Sequence, residues 1–273
     1  MLNQTQFVES YYTIGYGKTQ SKAWRTFVLG ILAGFLIAMG GVVTNTASHA
    51  ITNPSVAKIV CGLLFPFGLV MVILMGAELF TGNVLITIPV LGKKATLKGM
   101  LKNWGLVYCG NFVGSVLTSS CCAYFGQMNL NNGALAVATM KTAAAKCSLG
   151  FGNAFVLGIF CNILVCIAVM QALSSKETIG RFIGAYVQIA FFVIAGFEHS
   201  VANMFYNTAG LFAKTVPAYA QLAAEAGLDL TNLTWGSFLL NNLLPVTLGN
   251  IVGGLLVACL VYFCFAPKEE KKD

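Results

Sequence analysis

Gly76-Ala-Glu78-Leu-Phe-Thr-Gly-Asn83 and Gly196-Phe-Glu198-His-Ser-Val-Ala-Asn203 set a glutamate and an asparagine at one spacing inside two apolar stretches. Glu78 is the one charged residue in 59–92, and Glu198 the one in 182–213. Residues 55–91 are too long for one straight crossing, since about 20 apolar residues span the hydrocarbon core. Glu and Thr-Gly-Asn in the middle predict a half-helix, a loop and a second half-helix. In lipid such irregular backbone survives only where protein buries it or where it lines a cavity.

Working outward, residues 26–57, 103–140, 147–175 and 230–267 carry no charge at all. Six crossings follow, roughly Trp24–Thr46, Ser55–Leu91, Trp104–Phe125, Leu149–Leu173, Ile179–Tyr206 and Trp235–Phe265. Composition agrees: 9% of the 273 residues are charged, against roughly a quarter in a soluble domain, and the mean hydropathy is +0.78. A soluble protein, a disordered chain, a nucleic-acid binder and a small disulfide scaffold are all disfavoured. The first 23 residues are polar and lack the apolar core of a cleavable signal peptide. The nine cysteines fall almost entirely within the spans and show no zinc-ligand spacing. Two histidines cannot ligate several haems. No metal or cofactor is expected, and no nucleophile cluster suggests an enzyme.

An even number of spans puts both termini on one face. Lys18, Lys22, Arg25, Lys93, Lys94, Lys98, Lys102, Lys176, Arg181, Lys268, Lys271 and Lys272 belong to that face, against Lys58, Lys141, Lys146 and Lys214 on the other. Basic loops favour the cytoplasm, so both termini are expected there. The net charge of +7 then reflects orientation and lipid contact, not nucleic acid. The expected organisation is a cytoplasmic segment 1–23, a channel domain 24–265 with halves of about 24–125 and 149–265, and a cytoplasmic tail 266–273.

The two quoted stretches match at an offset of 120. Gly110-Asn111-Phe-Val113-Gly114 matches Gly249-Asn250-Ile-Val252-Gly253 at 139, and Leu29-Gly30-Ile31 matches Leu157-Gly158-Ile159 at 128. Three matches in one order indicate two three-span halves. Three is odd, so the halves enter the membrane from opposite faces. The fold class is an all-α membrane protein with an inverted repeat and two broken helices, a plan used by transporters and channels with a midplane site.

Candidate chemistry gathers at the breaks. His199, near mid-membrane, carries an imidazole that can give and take a proton; the alternative is a neutral, backbone-bonded histidine. Thr81 occupies the matching loop, and facing loops would let Thr81 and His199 share a hydrogen bond. Glu78 and Glu198 read best as acceptors for their own loops' N–H groups, with Asn83 and Asn203 as loop staples. Half-helix N-termini would aim free N–H groups at an anion. Lys146 opens the fourth span with no counter-ion nearby in the sequence and would attract anions at a pore mouth; Lys141 competes for that role. His49 reads as a surface residue. Glycines 110, 114, 249, 253 and 254 read as helix-packing positions.

Glu78-Leu-Phe-Thr-Gly-Asn83, Gly196-Phe-Glu-His-Ser-Val-Ala-Asn-Met-Phe205, Gly158-Ile-Phe-Cys-Asn162-Ile-Leu-Val-Cys166 and Asn242-Leu-Leu-Pro-Val-Thr-Leu-Gly-Asn-Ile-Val-Gly-Gly254 resemble signatures of the formate/nitrite transporter family. The likeness runs over about residues 5–265. It implies an aquaporin-like protomer, a homopentamer in the bacterial cytoplasmic membrane, and a pore in each protomer for small monovalent weak-acid anions. It puts the central histidine on His199, the loop threonine on Thr81, the vestibule lysine on Lys146 and the fourth-span asparagine on Asn162, with Glu198 and Asn203 along the pathway. The implied constrictions are Leu79 and Phe80 inside and Phe192 outside, with Phe65 and Leu69 as further lining. Gly-Asn after Thr81 departs from the Ser-Thr of some formate channels and leaves the preferred anion open. Formate leads, with nitrite and hydrosulfide close behind, and proton symport stands beside simple channel flow. A neutral-solute facilitator of the aquaporin type is the rival; it usually relies on two Asn-Pro-Ala loops, absent here.

Overall fold

The structure, a computed structural model, describes residues 1–267; Lys268, Lys271 and Lys272, counted above on the terminal face, lie outside the described residues. Among those described there are helices and no strands. In chain order the helices are α1 Gln4–Gln20, α2 Ala23–Ser48, α3 Pro54–Leu64, α4 Phe67–Leu74, α5 Phe80–Leu91, α6 Leu97–Tyr124, α7 Ala134–Cys147, α8 Phe151–Ser174, α9 Thr178–Ala195, α10 Ser200–Thr215, α11 Pro217–Glu225 and α12 Trp235–Phe265. Six units are long and apolar enough to cross a membrane: α2, α3–α4 together, α6, α8, α9 and α12. The face bearing α1 and the end of α12 is called terminal below, and the other distal.

The two breaks fall where the sequence places them, and one local geometry makes both. Gly76 and Gly196 adopt φ of +66° and +77°, a left-handed conformation that glycine reaches without a Cβ penalty. Each helix closes on its own carbonyls: Ala77 N–H donates to Val72 O and Phe197 N–H to Phe192 O, as helix ends with left-handed glycine do. The chain then runs extended, with Leu79 at φ −110°, ψ 124° and His199 at φ −108°, ψ 118°, before α5 and α10 start.

Asparagines from neighbouring spans satisfy the extended backbone. Glu78 N–H donates to Leu29 O and Glu198 N–H to Leu157 O. Asn111 Oδ1 accepts from Phe80 N–H at 2.9 Å while its Nδ2 donates to Gly30 O and Glu78 O. Asn250 repeats all three bonds, to Ser200 N–H, Gly158 O and Glu198 O. The first N–H of α5 and of α10 is therefore taken by protein, which limits the expectation that these ends present free donors to an anion.

Close packing brings those asparagines within reach. A Cβ on Gly34 would collide with the Asn111 carbonyl, on Gly114 with Ile31 O, on Gly249 with Phe155 O and on Gly253 with Ile159 O. Helices α2 with α6, and α8 with α12, thus touch backbone to backbone, the small-residue mode of membrane helices. The equivalences also reach beyond the spans. Helix α7 stands to the second half as α1 does to the first, since Lys146 follows Lys18 at the same 128 offset that relates Gly158 to Gly30. Each half is wider than its three crossings, because it brings its own leading helix.

Overpacking of this kind costs about 1–3 kcal/mol per site. Gly34→Ala and Gly253→Ala are expected to lower the Tm of the detergent-solubilised protein by several degrees. Gly105→Ala and Gly152→Ala, where a Cβ meets nothing within 4 Å, are expected to leave it in place. A thermal-shift comparison of the four checks this.

Candidate functional site

The breaks bring the candidate residues to a narrow waist between two vestibules. The distal vestibule, about 510 Å³, is lined in part by Lys146, Glu198, Asn203 and Tyr206. The terminal vestibule, about 210 Å³, is lined in part by Tyr11, Lys18, Asn83 and Val169. Between them a space of about 10 Å³ is walled by Ile37, Phe65, Leu69, Leu79, Val165, Ile189, Phe192 and His199. The three share walls. Phe65, Phe192 and His199 face both waist and distal vestibule, and Leu69 and Leu79 both waist and terminal vestibule. Phe65 and Phe192 meet edge to face with centroids 6.1 Å apart.

Of the expected constriction residues, Leu79, Phe65, Leu69 and Phe192 stand at the waist. Phe80 does not: its ring packs on Tyr108 at 4.9 Å and Trp104 at 6.1 Å, inside the protein wall. The extended loop alternates side-chain direction, so Leu79 and Phe80 face opposite ways.

His199 is the polar group at this waist, and 3% of its surface is exposed. Its Nδ1 accepts the N–H of Ala202 at 3.1 Å and so caps α10. An acceptor Nδ1 assigns the remaining proton to Nε2, which lies 2.8 Å from Thr81 Oγ1. His199 therefore donates to Thr81, joining the two broken loops. Asn162 supports the same loop from behind, donating to Thr81 O at 3.2 Å and to Asn250 O at 2.6 Å, with its buried Oδ1 unpartnered among the described residues.

The acids do not serve their loops' N–H groups, as the sequence reading had them, and Lys146 is not without a counter-ion. Lys146 Nζ donates to both Glu198 oxygens at 2.8 and 3.0 Å and lies 5.6 Å from the Tyr206 ring centroid. Asn203 Nδ2 donates to Glu198 at 2.6 Å and to Asn242 Oδ1 at 2.9 Å, while Asn242 donates to Lys146 O at 3.1 Å. The terminal vestibule repeats the set. Lys18 donates to both Glu78 oxygens at 2.8 Å, Asn83 to Glu78 at 2.5 Å and to Asn103 Oδ1 at 2.9 Å, and Asn103 to Lys18 O at 3.2 Å. Lys18, Asn103 and Asn242 were missed as site residues. The offsets 128 and 139, carried outward from the breaks, already link them in pairs.

Comparison with known proteins agrees with this fold. The profile of the formate/nitrite transporter family matches residues 5–264. The chain belongs to that family. It is 36% identical to the formate channel FocA of Haemophilus influenzae over 88% of this chain and 86% of the relative. A solved pentameric formate channel with formate bound superposes with a TM-score of 0.78 at 32% identity, covering 89% of this chain and 96% of the other. A second solved structure, an FNT family ion channel, gives 0.82 at 26% identity, covering 96% and 100%. The family and these relatives are channels and transporters, not enzymes.

Removing one partner of a largely buried ion pair costs about 3–5 kcal/mol, whereas replacing both by apolar groups is often near neutral. Glu198→Gln, which strands the Lys146 ammonium, is expected to lower the Tm more than the Glu198→Leu/Lys146→Met double substitution. The reverse order in a thermal melt would show that Lys146 finds another partner.

Proposed function

We propose that this protein conducts a small monovalent weak-acid anion, formate foremost, through a pore in each protomer of a homopentamer. We place it in the bacterial cytoplasmic membrane with both termini inside, on the basic terminal face of the sequence. The observation that carries the reading is the waist of about 10 Å³, apolar except for His199, between two vestibules that each hold a lysine. The formate channel at 36% identity and the formate-bound pentamer at 32% support formate and fivefold assembly for this chain as well.

Moving a carboxylate-sized ion from water into such a constriction costs on the order of 20 kcal/mol in the idealised Born picture. The vestibule lysines, each paired with a glutamate, stand outside the waist and do not offset this cost within it. Neutralisation is the cheaper route: the anion gathers at a vestibule, takes a proton, and crosses as the neutral acid. Hydrogen bonding at His199 favours water as the proton source. With Nδ1 engaged by Ala202, releasing the Nε2 proton would leave an imidazolate, and taking a second proton would break the cap. His199 then holds Thr81 in place, and the Thr81 hydroxyl is left to donate to a passing oxygen. Net movement is that of an anion with a proton.

Flux into proteoliposomes tests this. Formate entry is expected to quicken as external pH falls from about 7 to 5, because the neutral fraction of a carboxylic acid rises about tenfold per unit above its pKa. Nitrite and hydrosulfide are expected to pass more slowly and glycerol not at all; glycerol entry at the formate rate would favour a neutral-solute facilitator. His199→Phe, which removes the bond to Thr81, is expected to cut formate entry at least about tenfold with pentamer assembly intact. Unchanged entry would remove His199 from the mechanism.

A further inference from the structure

The two vestibules share a framework but not a charge. In the distal one Lys146 is neutralised by Glu198; Lys214, outside its lining, gives its ammonium to the carbonyls of Leu230 and Leu233. Two more lysines, Lys58 on α3 and Lys141 on α7, line the same vestibule. Neither has a carboxylate within salt-bridge distance among the described residues. Lys58 Nζ reaches over the break itself, 3.6 Å from where a Cβ on Gly196 would stand, two residues before Glu198. Lys141 lies five residues before Lys146 on one helix, and Asn45, Ser48 and Thr142 add polar wall. The terminal vestibule is lined by one lysine, Lys18, bonded to both oxygens of Glu78.

The repeat places these two lysines outside the framework that the halves share. At the 120 offset that relates Gly76 to Gly196, Lys58 corresponds to Thr178; at the 128 offset that relates Lys18 to Lys146, Lys141 corresponds to Thr13. The repeated framework thus pairs its own lysine in both vestibules, and the lining of the distal one carries two further cations; the other basic residues of the terminal face, Lys22, Arg25 and Lys93 among them, do not line the terminal vestibule. A cleft of one charge sign with low-dielectric walls focuses the field and raises the local counter-ion concentration.

We propose that Lys58 and Lys141 form an anion-collecting site in the distal vestibule, peripheral to the Lys146–Glu198 pair, that concentrates the small monovalent anion inside that vestibule. The inference rests on the channel reading above and deepens it. The ligand is the free anion, which makes the site directional in occupancy. At zero driving force influx and efflux share one ratio of maximal rate to half-saturation concentration, so the asymmetry appears in the half-saturation values themselves. Screening limits it, since the Debye length is about 8 Å at physiological ionic strength.

The full chain, reconstituted in one orientation into vesicles of uncharged phosphatidylcholine, is tested with formate from each face at equal pH and zero potential. At about 0.1 M salt, where a Debye length of about 10 Å screens charges outside the vestibule lining, the wild type is expected to half-saturate from the distal face at a concentration roughly three- to tenfold below that from the terminal face. Lys58→Gln/Lys141→Gln should abolish that difference, Lys58→Arg/Lys141→Arg should keep it, and high salt should erase it in the wild type. Equal pentamer size on gel filtration confirms that the variants are assembled. An unchanged distal value in the glutamine variant, or an equal shift from both faces, overturns the assignment. A difference that arises only when anionic lipid is added also overturns it and assigns the lysines to lipid headgroups. If wild-type vesicles pass no formate, the channel reading fails, and this inference falls with it.

Discussion

Lipid offers a peptide group no water, so a chain that stops being helical at mid-membrane must find partners for its N–H and C=O groups within the protein. Everything else at the centre of this molecule follows from how that demand is met. Asn111 and Asn250 each give one acceptor and two donor bonds to an opened loop. They reach because glycines let α2 lie on α6 and α8 on α12 at backbone contact. The glycine rows and the asparagines are therefore one device, and the opened loops are what it holds.

Once held, the loops are free to differ in what they point inward. Under the 120 offset His199 corresponds to Leu79, and Val201 to Thr81. Both Leu79 and His199 face the waist. The repeat would have put like against like there; instead one side is a leucine and the other an imidazole bound to the opposite loop's hydroxyl. Strict symmetry in the frame and departure from it at the centre are compatible because the frame bonds use backbone and asparagine, not the residues at the waist.

Much of this was legible in the residues, and what escaped did so for physical reasons. A lone acid in an apolar run announces a break, because an unpaired carboxylate in lipid is too costly to be incidental. Its partner was harder to see. Lys146 lies 52 residues from Glu198 and Lys18 lies 60 from Glu78, and nothing local couples such positions. Lys18 was doubly hidden, since the leader reads as a polar segment although Phe7, Val8 and Tyr11 bury it against Leu85, Ile88 and Val257. Phe80 was misplaced because adjacency in sequence is not adjacency in space once the chain is extended. The first N–H of each half-helix looked free because the asparagine that takes it comes from another span, 31 and 50 residues away.

The charge clusters have one more property that matters for how the molecule tolerates change. Lys18, Glu78, Asn83 and Asn103 all belong to the first half, and Lys146, Glu198, Asn203 and Asn242 all to the second. Neither cluster borrows a member across the pseudo-axis, whereas the bonds from His199 and Asn162 to Thr81 do cross it. The two paired clusters are thus self-contained modules on a shared seam, although the distal entrance also takes Lys58 from the first half. Drift in the surface chemistry of one entrance can be accommodated without retuning the other, while the seam has no such independence and must be kept by both halves together.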